Sequence, residues 1–366
     1  MTGRKMALAP HTDTQQFAAG PREVLLETGR AFYQELTLKF SKTPLAAVLV
    51  AGLLSVSTAW AQNPVVLKFS HEAPETAVKG RTAKLFAEKV TEYSKGTLRV
   101  DVFPGAQLIP TKDEIRGAIR GQVDIIAPQT SYYSSLDASW DVFYQPLLFN
   151  NAKQGMDMLA GKFGRDMLGN LDRVGLKGLG IWHDGPGYLF VRKDPVVSPS
   201  QLAGKKIRVF PSAPLEAGVR AANGIAVSMP GPDVYLGLQQ GLIEGVITAV
   251  TYAAPSRWYE VVKGATRMSM FTGGYGVTIN KASWAKLSAD HKKVIERAMA
   301  DAESWNYTET DANILAAEKT LKDNGVTIAD LTPAQLAEWR ALMAPVYAAQ
   351  PAAVKARIAE VQAAIK

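Results

Sequence analysis

Two stretches of this chain run through the same order of elements. Residues 65–127 read strand, helix, strand, helix, strand. Val65–Ser70 is a strand, and Thr76–Ser94 is a helix with Ala83, Phe86, Ala87 and Val90 at helical spacing. Thr97–Phe103 alternates with period two, Asp113–Arg120 is a short helix and Val123–Ala127 a buried strand. Residues 206–249 repeat the order as Lys206–Phe210, Ala213–Ala222, Ile225–Met229, Asp233–Gln240 and Glu244–Ala249. Parallel strands need a long crossover between them, and a helix supplies it. The repeat predicts an α/β chain with two similar domains, each on a mainly parallel sheet.

Between the blocks, Lys153–Leu171 reads as helical, and Leu176–Trp182 and Tyr188–Arg192 as strands placed to cross between the domains. From Ser283 onward the chain is largely helical, with Ser288 and Thr332 as N-caps. A helix from about Ser288 to Asn324 would reach roughly 55 Å, enough to span two domains. Gly325-Val326-Thr327 then turns into a short strand. The expected division is 1–61 as an N-terminal extension and signal, 62–186 plus about 274–305 as one lobe, and about 187–273 plus 306–366 as the other.

The longest apolar run, Pro44–Thr58, follows Lys39 and Lys42 and precedes Ala59-Trp60-Ala61. That is the order of a secretory signal, with cleavage expected after Ala61 and a periplasmic product. The run is short for a membrane span, which needs roughly 20 residues; the other readings are a buried helix or an uncleaved anchor. The expected translation start is near Leu36 or Leu38, at a non-AUG codon. With no Cys among 366 residues, disulfides, thiolate metal sites and Cys nucleophiles are excluded, and four His make a His-rich metal site unfavourable. The net charge of +7 lacks the concentrated basic stripe of a nucleic-acid binder.

Catalytic signatures are scarce. No G-x-S-x-G elbow, Walker A loop, H-E-x-x-H or EF-hand pattern occurs. Gly178–Gly180 and Gly273–Gly276 read as turns or close packing. His71 follows a strand and opens a loop, a usual place for ligand contacts, or else a solvated position. His183 and Asp184 are neighbours but form no triad, and His291 reads as solvated. Arg208 stands out, because it interrupts a strand otherwise built for burial. A buried guanidinium needs a partner, either a structural carboxylate or a ligand carboxylate at the end of the strand.

Four segments carry a family resemblance. Residues 202–209 (LAGKKIRV) resemble the "L-x-G-x-K-I-R-V" signature of solute receptors of tripartite ATP-independent periplasmic (TRAP) transporters, the dicarboxylate-receptor type. Residues 102–108 (VFPGAQL), 121–125 (GQVDI) and 233–245 (DVYLGLQQGLIEG) are similar to further motifs of that family, in the expected order. The resemblance implies a two-lobed periplasmic binding protein fold of the type II kind, with crossing strands and a domain-spanning helix. It implies a receptor rather than an enzyme, with no cofactor or metal. Its partners would be a small organic acid and the membrane permease subunits, which provide its only contact with the inner membrane. A receptor for a signalling partner, or an exported enzyme acting on a carboxylate, is the alternative.

The resemblance places Arg208 on the family's carboxylate clamp and Thr248 where an asparagine usually contacts the carboxylate. Gln129 falls on a polar contact position. A second arginine common in relatives is replaced by Gly187 or Tyr188. These changes remove one cation and one amide. The expected ligand is therefore a monocarboxylate with an aromatic or apolar body, or a 2-oxo acid. Trp182, Tyr188, Phe190 and Tyr252 are the candidate walls, each equally readable as core, and His71 completes the candidate set.

Overall fold

Residues 63–365 are described by the structure, a computed structural model, and belong to one compact unit. The expected secretory signal and translation start lie outside the described residues.

β1 (Val65–Ser70) and β2 (Leu98–Phe103) pair in parallel, joined by α1 (Val78–Tyr93), which buries Ala83, Phe86 and Val90 against them. α2 (Glu114–Ile119) leads to β3 (Ile125–Ile126), parallel to β1 on its other side. The second block has the same plan. β6 (Lys206–Val209) lies between β7 (Ile225–Ser228) and β8 (Gly245–Ala249), both parallel to it, with α5 (Ala213–Ala221) and α6 (Val234–Gln239) as crossovers. In each block the first strand is central, as two consecutive crossovers in opposite directions require.

Antiparallel strands extend both sheets. β4 (Leu176–His183) and β10 (Gly274–Asn280) pair with each other, and the first sheet runs β2-β1-β3-β10-β4. β5 (Gly187–Val191), β9 (Gly264–Arg267) and β11 (Thr327–Asp330) complete the second, β11-β9-β5-β8-β6-β7. The turn reading of Gly178–Gly180 and Gly273–Gly276 is thus corrected for all but Gly273: these glycines are strand residues. Close packing explains them. A Cβ on Gly276 would lie 2.6 Å from the Tyr133 ring, and one on Gly180 2.8 Å from Met299.

The chain passes from the first sheet to the second at Asp184–Pro186, and back between Arg267 and Gly274. α9 (Ala289–Asp323) is the third link. It packs on α1 and β4 near one end, and on β11 and the short α7 (Val250–Ala253) further along. Ser288 caps it by accepting from the His291 amide at 3.1 Å. The single helix expected over 153–171 is two, α3 (Ala152–Ala160) and α4 (Lys162–Gly169), because Gly161 between them is extended. α8 (Lys281–Lys286) precedes α9; α10 (Pro333–Ala348), capped by Thr332, packs on α5, and α11 (Ala352–Ala364) on the 3-10 segment Ala138–Tyr144. No helix among the described residues is long and apolar enough to cross a membrane.

Candidate functional site

The residue sequence of β6 sets the site. Ile207 and Val209 are fully buried in the core, and Arg208 between them points to the other face yet is only 3% exposed. Its Nε donates to the Met229 carbonyl at 2.7 Å, and its guanidinium lies 5.4 Å from the Phe210 ring centre. No carboxylate among the described residues pairs with it. Burial pulls its pKa down, while Tyr132, Tyr252, Glu72 and Asp184 pull it up.

Arg208 borders a small chamber between the two sheets. The second sheet contributes Arg208, Thr248 at the end of β8, and Phe210, Gly231 and Tyr252 beyond its strand ends. Glu72, Thr111, Gln129, Tyr132 and Tyr275 line it from the first sheet's side, and Asp184 from the crossing between them. The chamber therefore lies outside the carboxyl ends of β6 and β8, where open α/β sheets take ligands.

Its charges are unevenly compensated. Glu72 accepts from Lys79, and that ammonium sits 4.0 Å above the Tyr275 ring. Glu114, behind Glu72, accepts from the Ser70 hydroxyl at 3.3 Å; burial and then Glu72 push its pKa well up. Asp184 accepts from the Tyr275 hydroxyl at 2.6 Å and from the Gln129 amide. Burial pushes its pKa up to about 7, against those hydrogen bonds. The Thr111 hydroxyl oxygen is buried without a partner.

Of the residues selected from sequence, Arg208, Thr248, Gln129 and Tyr252 come together in this chamber. Four others do not. Trp182 is fully buried, 5.8 Å from the Phe69 ring, in the core beneath α1 and α9. Tyr188 and Phe190 share the face of β5 that packs under α6, α7 and α9, and the Tyr188 hydroxyl donates to Glu318. These aromatics are core rather than walls, because the strand faces that carry them turn toward packed helices and away from the chamber. His71 is neither a chamber residue nor solvated. It is fully buried beside an outer groove lined by Glu75, Lys84 and Val102, and burial and Lys79 hold its pKa down to about 3.

His183 and Asp184 part company at the crossing. Asp184 enters the chamber, whereas His183 packs against Tyr307 with ring centres 3.7 Å apart. His291 bonds Thr97 at 3.1 Å. Glu72, Thr111, Tyr132, Asp184, Phe210 and Tyr275 escaped the sequence reading. Only Asp184 carries a local signal, an acid before Gly-Pro between two strands.

Comparison with known proteins agrees with this geometry. Residues 69–352 match the family described as bacterial extracellular solute-binding protein, family 7. The C4-dicarboxylate-binding periplasmic protein DctP of Rhodobacter capsulatus is 31% identical over 323 residues, covering 84% of this chain and 95% of the relative. The 2,3-diketo-L-gulonate-binding periplasmic protein YiaO of Escherichia coli is 27% identical over 261 residues, 71% of this chain and 79% of the relative. Among solved structures, a TRAP periplasmic solute-binding protein of Shewanella oneidensis with bound succinate superposes with a TM-score of 0.79 at 29% identity. It covers 83% of this chain and 100% of that one. The motifs, the two-sheet architecture and these matches converge: the chain belongs to the DctP family of TRAP solute-binding proteins, receptors and not enzymes.

Proposed function

We propose that this protein is the periplasmic receptor of a TRAP transporter, binding a small organic acid with a single carboxylate between its two sheets and delivering it to membrane permease subunits. The observation that carries the reading is Arg208, a buried guanidinium with no carboxylate of its own. Its planar fork suits a ligand carboxylate held through two parallel hydrogen bonds, and the Thr248 hydroxyl adds one donor. Closure of the sheets over the ligand removes water from this pair and strengthens it. Two relatives at or above 29% identity support the acid class, since one is named for C4-dicarboxylates and the other holds succinate.

Within that class, the lining favours 2-oxo monocarboxylates over aromatic acids. Tyr132, Tyr252 and Tyr275 bring hydroxyls, and only Phe210 among the lining rings is wholly apolar. Calorimetric titration of the purified protein with 2-oxo monocarboxylates, benzoate-type acids, succinate and malate tests this. Tighter binding of a 2-oxo monocarboxylate is expected. Much tighter binding of succinate or malate would defeat the monocarboxylate reading.

A further inference from the structure

The chamber holds an acid that its clamp function does not need. Asp184 is 3% exposed and lies on the backbone crossing between the sheets. Its side chain is tied to the first sheet's side by the Gln129 amide and the Tyr275 hydroxyl, and its carbonyl oxygen accepts from Thr251 on α7. Both side-chain donors are neutral, so they orient the carboxylate without cancelling its charge. Glu72, the other acid in the lining, is already paired with Lys79. The charged or titratable groups around Asp184 are Glu72 and Lys79 near the β1–α1 connection, Tyr275 on β10, Arg208 on β6, Tyr252 on α7 and Tyr144 on a 3-10 turn.

We propose that Asp184 is the charge selector of this receptor: it admits a ligand with one negative charge at Arg208 and repels one with two. The inference deepens the carboxylate-receptor reading and rests on it. A monoanion needs only Arg208. A dianion must place its second carboxylate in a small space whose remaining unpaired charge belongs to an acid, and like charges in a poorly screened interior repel strongly. Asp184 can also relieve the repulsion from even a single carboxylate by taking up a proton, since burial already places its titration near neutrality. Ligand binding near pH 7.5 is then accompanied by net proton uptake.

The test is Asp184→Asn, which keeps the shape and an acceptor for Tyr275. Binding of succinate and of pyruvate is measured at pH 8 for the parent and the variant. Succinate is expected to gain about tenfold or more in affinity, and pyruvate clearly less. Equal changes for both acids, no change, or a loss for succinate would overturn the selector role. A second measurement needs no variant. Calorimetry of pyruvate binding to the parent in two buffers of different ionisation enthalpy should reveal proton uptake at pH 7.5, and its absence would also overturn the proposal. Arg208→Met separates the two readings: acids still bound by that variant would sink the clamp itself, whatever Asp184 does.

Discussion

The Nε of Arg208 donates to the carbonyl oxygen of Met229 at 2.7 Å, tying the guanidinium to the end of the neighbouring strand. The bond orients the guanidinium plane, so the two terminal nitrogens act as one fork toward the chamber. Arg208→Lys keeps the charge and loses the fork, and should weaken acid binding by about tenfold or more in calorimetry. Arg208→Met should weaken it by about a hundredfold, yet melt no lower than the parent without ligand, because a buried cation without a counter-charge is removed.

Glu318 on α9 ties that helix to the second sheet through hydrogen bonds and an ion pair. It accepts from the Tyr188 hydroxyl and from Arg267, whose Nε lies at 2.7 Å, while Arg267 also reaches Asp330 at 2.7 Å. Arg267 first of all holds the Glu318 carboxyl below its ordinary value of 4.5. The resulting stability is fully present above pH 4.5 and is lost as pH falls through the lower folded value. Glu318→Ala should cost about 2 kcal/mol in urea unfolding at pH 7, less than a wholly buried pair because Arg267 is partly exposed. The deficit should shrink in acid.

His183 should also make stability fall in acid, over a higher pH range. Burial holds its pKa down to about 3, against an ordinary 6.5, and its Nε2 is buried without a partner. Between those values the unfolded chain binds a proton that the folded one refuses, so stability is lost as pH falls from 6.5 toward 3. His183→Phe keeps a ring against Tyr307 and removes the titration. The free-energy difference between variant and parent should move in the variant's favour by about 1.4 kcal/mol per pH unit through that window. A pH-independent difference in urea unfolding would contradict the assignment.

Gly276 is a strand position without room. Gly276→Ala would put a methyl 2.6 Å from the Tyr133 ring, which is itself held by the Gly276 carbonyl at 2.9 Å and by Thr278 at 3.0 Å. The ring is fully buried and cannot retreat. A loss of about 2 kcal/mol in thermal or urea unfolding is expected.

Much of the fold was legible because local patterns and tertiary packing agree. The apolar spacing of Ala83, Phe86 and Val90 is the face that α1 buries, and Ser288 and Thr332 cap the helices they were read to cap. β10 was missed because its pattern is not that of a strand alone. Its glycines carry no strand propensity, and their reason lies in Tyr133 and Trp182, which are far away in sequence. The helix expected over 153–171 failed at Gly161, whose backbone is extended and which sits so close to the preceding turn that a Cβ would lie 2.9 Å from the Asp157 carbonyl oxygen.

The sequence by itself determined the α/β rhythm, the long helix and the odd position of Arg208, since each follows from spacing or from the cost of burying a charge. Only the tertiary structure decided which side chains meet Arg208. Tyr188 and Phe190 went to the core because β5 turns that face toward α6, α7 and α9, a choice no local pattern encodes. Asp184, Glu72 and Tyr275 reached the chamber because strand ends from two sheets converge there, bringing together residues up to about 200 positions apart in the chain. Local spacing carries the period of an element; which ends of which elements share a cavity is settled by packing alone.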